Sequence, residues 1–188
     1  SKGNPEAQTN LGVLYYFGDK VEKEPVKGLA LLHAAAAQNN GLALYNLYRI
    51  ELDNNHQDNA NDWLDKAVAV GYPRAQHELA TRYHYGLYDT PQDFAKAVAL
   101  YRLAAEQGLA DAQYDLALSY YNGEGVSKDL DESHKWLMLA AKQNYAQAQY
   151  LLYYFYKDGM AVVKEEKEAL RWLTKAVDSK HPEAMFDL

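Results

Sequence analysis

Cysteine is absent from the 188 residues, and β-branched residues are scarce: 10 valines, 1 isoleucine and 4 threonines. Without cysteine there are no disulfide frameworks, no thiolate-bound zinc or iron–sulfur sites and no thiol nucleophiles, while the redox compartment stays open. So few β-branched side chains cannot furnish the pleated, half-buried surface of a sheet, which excludes a β-sandwich or barrel. Long apolar runs are missing too. The stretch from Gly28 to Ala37 is short and interrupted by His33, whereas a membrane helix needs about 20 apolar residues, so no membrane insertion is expected of this segment. No block of five like charges occurs and the net charge is −7, which repels a phosphate backbone, so nucleic acid is not an expected partner. The chain lacks an initiator Met and a basic, apolar leader, which points to a processed or excised chain and is compatible with a removed signal peptide.

What is present is 28 alanines and 17 tyrosines. Alanine is the best helix former, so composition alone indicates an all-helical protein. A repeat gives that helix content its order. Ala7, Ala43, Ala75, Ala112, Ala148 and Ala184 each precede a leucine by four residues, at spacings of 36, 32, 37, 36 and 36. Counted from each Ala, position +8 holds Tyr15, Glu51, Tyr83, Tyr120 and Tyr156, and position +11 holds Gly18, Asn54, Gly86, Gly123 and Gly159. Ala, Leu and Tyr at 0, +4 and +8 share one stripe of a helix, and a Gly or Asn at +11 can take the left-handed conformation that ends it. Each repeat therefore opens with an eleven-residue helix A.

A second helix, B, carries the anchors Leu31, Trp63, Leu100, Trp136 and Trp172, and ends eight residues later at Asn39, Gly71, Gly108, Asn144 and Lys180. Pro5, Pro25, Pro73, Pro91 and Pro182 are expected between helices, because proline breaks helix interiors. Helix pairs of about 36 residues bury their apolar faces only by stacking. The expected fold is all-α, a right-handed α-solenoid of antiparallel helix pairs forming a single domain over 1–188. Its repeats are 5–40, 41–72, 73–109, 110–145 and 146–181, with 182–188 beginning another. Repeat 2 is four residues short, and its polar stretch Asp53–Asp62 is expected to be irregular, with Asn and Asp supplying the cap of helix B.

Two stretches, Tyr120-Tyr-Asn-Gly-Glu-Gly-Val-Ser-Lys-Asp129 and Ala104-Ala-Glu-Gln-Gly-Leu-Ala-Asp-Ala-Gln113, resemble the Sel1-like repeat, a relative of the tetratricopeptide repeat. Phe17–Glu24 and Asp158–Glu165 carry degraded copies of the first. The resemblance implies a bacterial adaptor or scaffold in the periplasm or cytoplasm, with helix A lining a concave, partner-binding face. The branch linked to β-lactam binding has regular cysteine pairs, which this chain lacks.

The helix A positions not used for packing are +2, +6, +9 and +10. Thirteen of the 17 tyrosines fall in the five helix A windows, where an even spread would put about five. Tyr15, Tyr83, Tyr120 and Tyr156 form a packing column. The candidate partner-binding residues are Tyr16, Tyr45, Arg49, His77, His84, Tyr114, Tyr121, Tyr150 and Tyr154, because tyrosine offers a large, stiff surface with a polar tip. At +5, where Gly12, Ala80 and Ala117 allow close approach, Tyr48 and Tyr153 should push helices apart. His77 and His84 share a face but lack a third ligand, so no metal is expected, and His33, His56, His134 and His181 read as surface residues. Asp53–Asp62 lacks the Gly and the closing Glu of a calcium loop. With no nucleophile elbow, phosphate loop or dinucleotide fingerprint, no cofactor and no catalytic residue can be named. The sequence thus reads as a monomeric, non-catalytic adaptor for a protein or peptide. Its alternatives are a dedicated inhibitor or immunity protein clamping one effector and, more remotely, an enzyme acting on the cell envelope.

Overall fold

A computed structural model describes residues 3–188. Its helices are α1 (Pro5–Phe17), α2 (Pro25–Ala36), α3 (Gly41–Asp53), α4 (Gln57–Ala69), α5 (Pro73–Tyr85), α6 (Phe94–Glu106), α7 (Ala110–Asn122), α8 (Leu130–Lys142), α9 (Ala146–Asp158), α10 (Glu166–Asp178) and the short α11 (Ala184–Asp187). No strand occurs among the described residues. Odd-numbered helices are the A helices and even-numbered ones the B helices, stacked in antiparallel pairs. Tertiary contacts group the chain into two compact units, one ending at Leu79 and one starting at Ala80, so the division falls within α5.

Helix A has thirteen residues rather than eleven, because it begins two residues before the repeat's Ala. Pro5, Pro25 and Pro73 therefore occupy the first helical position, where a missing N–H costs nothing, instead of lying between helices. The side chains of Asn4 and Asn40 accept the Ala7 and Ala43 N–H groups at 3.0 and 2.9 Å, which caps α1 and α3. Gly18, Gly86, Gly123 and Gly159 are left-handed as expected, but Asn54 is not, and Asn55 takes that role. All five B-helix ends, including Lys180, are left-handed.

Repeat 2 is more regular than its sequence suggests. Both of its helices have thirteen residues, and the missing four come out of the connector, which is 54–56 where repeat 4 has 123–129. No Asn or Asp caps α4. The cap is His56, whose side chain bonds the carboxylate of Glu51 at 2.9 Å instead of the helix end. In every repeat the +8 carbonyl accepts the N–H of the residue that starts helix B, for example Asp129 to Tyr120 and His56 to Glu51 at 2.9 Å. This bond survives the deletion and fixes where the second helix begins.

Small residues meet where A crosses B. A Cβ on Gly28 would lie 2.7 Å from the Gly12 carbonyl oxygen, so only glycine fits the first pair. The same B column holds Ala60, Ala97, Ser133 and Ala169, all buried. Opposite two of these stand Tyr48 and Tyr153, only 1% and 9% exposed, and Tyr48 donates a 2.8 Å hydrogen bond to Glu78. The Ala column is fully buried from Ala43 to Ala184, while Ala7, with no helix pair before it among the described residues, is exposed. Leu32, Leu47, Tyr48 and Leu64 centre the core of the first unit, and Tyr101, Leu116, Leu137 and Phe155 that of the second.

Candidate functional site

The +8 tyrosines are half-buried, and Tyr83, Tyr120 and Tyr156 pack against the core of the second unit, so they are shelves rather than a sealed interior column. Lys27 lies 3.8 Å over the Tyr15 ring, Lys96 5.1 Å over Tyr83, and Arg102 donates to the Tyr120 hydroxyl. His134, half-buried and not at the surface, sits 3.3 Å from the Tyr156 hydroxyl, and burial lowers its pKa.

The +2 column has a second task that sequence reasoning left undecided. Four of its residues meet the residue three before the next repeat's Ala. Thr9 bonds Asn40 at 3.1 Å, the Tyr45 and Tyr72 rings are 5.5 Å apart, Tyr114 and Tyr145 are 5.3 Å apart, and Tyr150 stacks on His181 at 4.3 Å. His181 is 6% exposed, so the expectation of a surface histidine fails: the next repeat's entry is folded over it, and its Nδ1 accepts the Ala184 N–H. The signal was in the sequence, since Tyr72 and Tyr145 are two of the four tyrosines outside the helix A windows and share one register.

In the first unit Tyr16 packs edge-on against Phe17 at 5.0 Å, and Tyr45 lies between Tyr48 and Tyr72 with Arg49 exposed beside it. Burial raises the Tyr45 pKa and the Glu78 charge adds to this, against the opposing pull of Arg49. His77 is half-buried on α5. In the second unit His84 packs on Phe94 at 5.1 Å and lies 3.7 Å from Glu124. Tyr121 approaches Phe155 at 6.0 Å, with Lys128 5.3 Å over its ring. Tyr150 and Tyr154, 3.0 Å apart through their hydroxyls, both donate to Asp187, at 2.8 and 3.2 Å. The structure thus joins Tyr150 with Tyr154 and sets Tyr114 beside Tyr145, while Tyr16, Tyr45 and Arg49 lie in the other unit.

Three hydroxyls of the second unit, those of Tyr114, Tyr145 and Tyr150, are shifted toward the protonated form. Burial raises Tyr114, helped by Asp115 and Glu183, and raises Tyr145, helped by Asp111 and Asp115. For Tyr150 the hydrogen bond with Tyr154 is the main cause, ahead of burial and Asp187. At neutral pH the face therefore offers neutral O–H groups and ring faces beside carboxylates.

Clefts open elsewhere as well. One of about 420 Å³ is bounded by Tyr153, Lys157, Lys164, Leu170, Leu173 and Asp187, and another of about 380 Å³ by His33, Leu44, Trp63, Lys66 and Val70. No group of three or more His, Asp or Glu able to hold a metal occurs among the described residues, and none of their helices is long and apolar enough to cross a membrane.

The repeated glutamines are a feature that sequence reading used as a signature without assigning a role. Gln113 and Gln149 donate to the carbonyls of Ala105 and Ala141, at the end of the preceding B helix, at 3.1 and 3.2 Å. Gln38 and Gln143 bond back to Gln8 and Gln113 at 2.8 and 2.9 Å. They add a side-chain donor to helix-end carbonyls that already accept the Gly108 and Asn144 N–H groups, and so tie each A helix to the B helix before it.

Stacked helix pairs with left-handed ends, a small-residue crossing and a bonded repeat-to-repeat register define an α-solenoid repeat protein. The Sel1 repeat model matches residues 5–40, 73–109, 110–145 and 146–181, and the chain belongs to that family. The chain is 32% identical over 130 residues to an uncharacterised protein of Neisseria meningitidis serogroup B, covering 68% of this chain and 26% of that one; it thus spans about a quarter of that relative. A crystal structure of a Sel1 repeat protein from Oxalobacter formigenes superposes with a TM-score of 0.86 at 26% identity, over 98% of this chain and 77% of that one. Immunity protein PA5088 from Pseudomonas aeruginosa gives a TM-score of 0.65 at 25% identity, over 96% and 70%. Sel1 repeats generally mediate protein–protein binding, and proteins built from them are generally non-catalytic scaffolds.

Proposed function

We propose that this chain is a monomeric, non-catalytic adaptor that holds a protein or peptide against the tyrosine-bearing side of its A helices. The observation that carries this reading is the register of half-buried tyrosines, Tyr114, Tyr121, Tyr150 and Tyr154, on α7 and α9. Rings already held by a neighbour lose little entropy on binding, which suits them as contact residues. Tyr45 and Arg49 on α3 would play the same part in the first unit, as would His77 and His84 on α5 in their own units. The test is affinity capture with the native chain and with a Tyr114→Phe, Tyr121→Phe variant, which keeps the ring packing and removes the hydroxyls. Loss of the captured partner is the expected result, and equal capture by both proteins would refute the face.

The similarity to an immunity protein favours a second reading, a dedicated inhibitor of one effector. That reading expects a single tight 1:1 partner whose activity disappears on complex formation. An adaptor instead leaves its partner's activity intact.

A further inference from the structure

We propose that the tyrosine-lined face of α7 and α9 selects a basic segment, one presenting lysine or arginine side chains. This rests on the adaptor reading and names the chemistry of the partner. Charge is divided by helix type in this unit. The B helices α8 and α10 balance five Lys or Arg (Lys135, Lys142, Lys167, Arg171 and Lys175) with five Asp or Glu, whereas the A helices α7 and α9 set Asp111, Asp115 and Asp158 against Lys157 alone. Asp111 and Asp115 on α7 and Glu183 before α11 act on the Tyr114 and Tyr145 hydroxyls, so the paired rings are edged by carboxylates. The four carbons of a lysine, or the planar guanidinium of an arginine, can lie along such rings while the charge reaches the carboxylates.

The chain's own cations illustrate the arrangement. Lys128 lies 5.3 Å over the Tyr121 ring, and Lys157 lies 5.0 Å over Tyr153 and 5.5 Å over Tyr154. An acidic segment would meet Asp111, Glu183 and Asp187 and be repelled. A wholly apolar one would desolvate those carboxylates without bringing a compensating charge, which is costly.

The test uses the full chain and fluorescence anisotropy with a labelled synthetic peptide repeating Lys-Leu-Gly-Ser, alongside peptides carrying Gln or Glu in place of Lys. The Lys peptide should bind about tenfold more tightly than the Gln peptide and weaken as salt is raised, and the Glu peptide should bind least. Asp111→Asn with Glu183→Gln should bring the Lys peptide down to the Gln peptide's affinity, with the helical circular dichroism unchanged. Equal binding of the Lys and Gln peptides, both weakened by Tyr114→Phe with Tyr121→Phe, would overturn the basic preference and leave the adaptor face standing. Lys-peptide binding untouched by all four substitutions, or no binding of any peptide, would overturn both.

Discussion

Single positions in the connectors carry much of the backbone strain. Two residues past the glycine that ends helix A, Lys20, Tyr88, Gly125 and Ala161 are all left-handed, but only one of them is glycine. A Cβ at Gly125 would collide with the Phe94 carbonyl, so Gly125→Ala should cost ~2 kcal/mol, whereas Ala161→Gly should relieve strain and stabilise by about 1 kcal/mol. Urea denaturation of the two variants checks both signs. His134 makes a pH-dependent contribution at the same scale. Burial holds its folded pKa below the unfolded value, so its contribution is fully present above the unfolded pKa of about 6.5 and is lost as pH falls through the folded one. The loss of melting temperature between neutral and mildly acidic pH should therefore be smaller in His134→Gln than in the parent chain. The left-handed glycines were legible in the sequence because glycine advertises that conformation. Lys20 and Ala161 were not, because their side chains give no sign of it.

Between elements, the crossing of A and B is the tightest joint. Gly28→Ala would drive a methyl group into the Gly12 carbonyl and the Tyr16 backbone, and should destabilise by ~2 kcal/mol, measured as a lower denaturant midpoint. Sequence reading found the small column on helix A but not its counterpart on helix B, because Gly28, Ala60, Ala97, Ser133 and Ala169 look unremarkable in an alanine-rich chain. The helix starts were misplaced by two residues for a related reason. The Ala that marks each repeat is the most regular residue, yet the helix begins where Pro or an Asn cap permits, ahead of it. Repeat 2 shows the reverse error, a polar sequence taken for irregular structure when only its connector is shortened.

At the scale of the molecule, the period of about 36 residues made the all-helical, stacked-pair fold legible, since few architectures share that period. The candidate face was harder to read. A tyrosine at +2 can point at a partner or at the next repeat, and only three-dimensional structure pairs Tyr114 with Tyr145 and Tyr150 with His181. Those pairings are not all alike: Thr with Asn at one joint, Tyr with Tyr at two and Tyr with His at another. Each repeat in effect carries an address for its successor. Its modules are alike in shape and yet are not interchangeable beads: a chain in which Tyr145→His and His181→Tyr are combined should keep its helical signal and unfold at lower urea. The same addressing ties any loss of a ring from the contact surface to a matching change where the next repeat begins, so the face drifts in step with the joints beneath it.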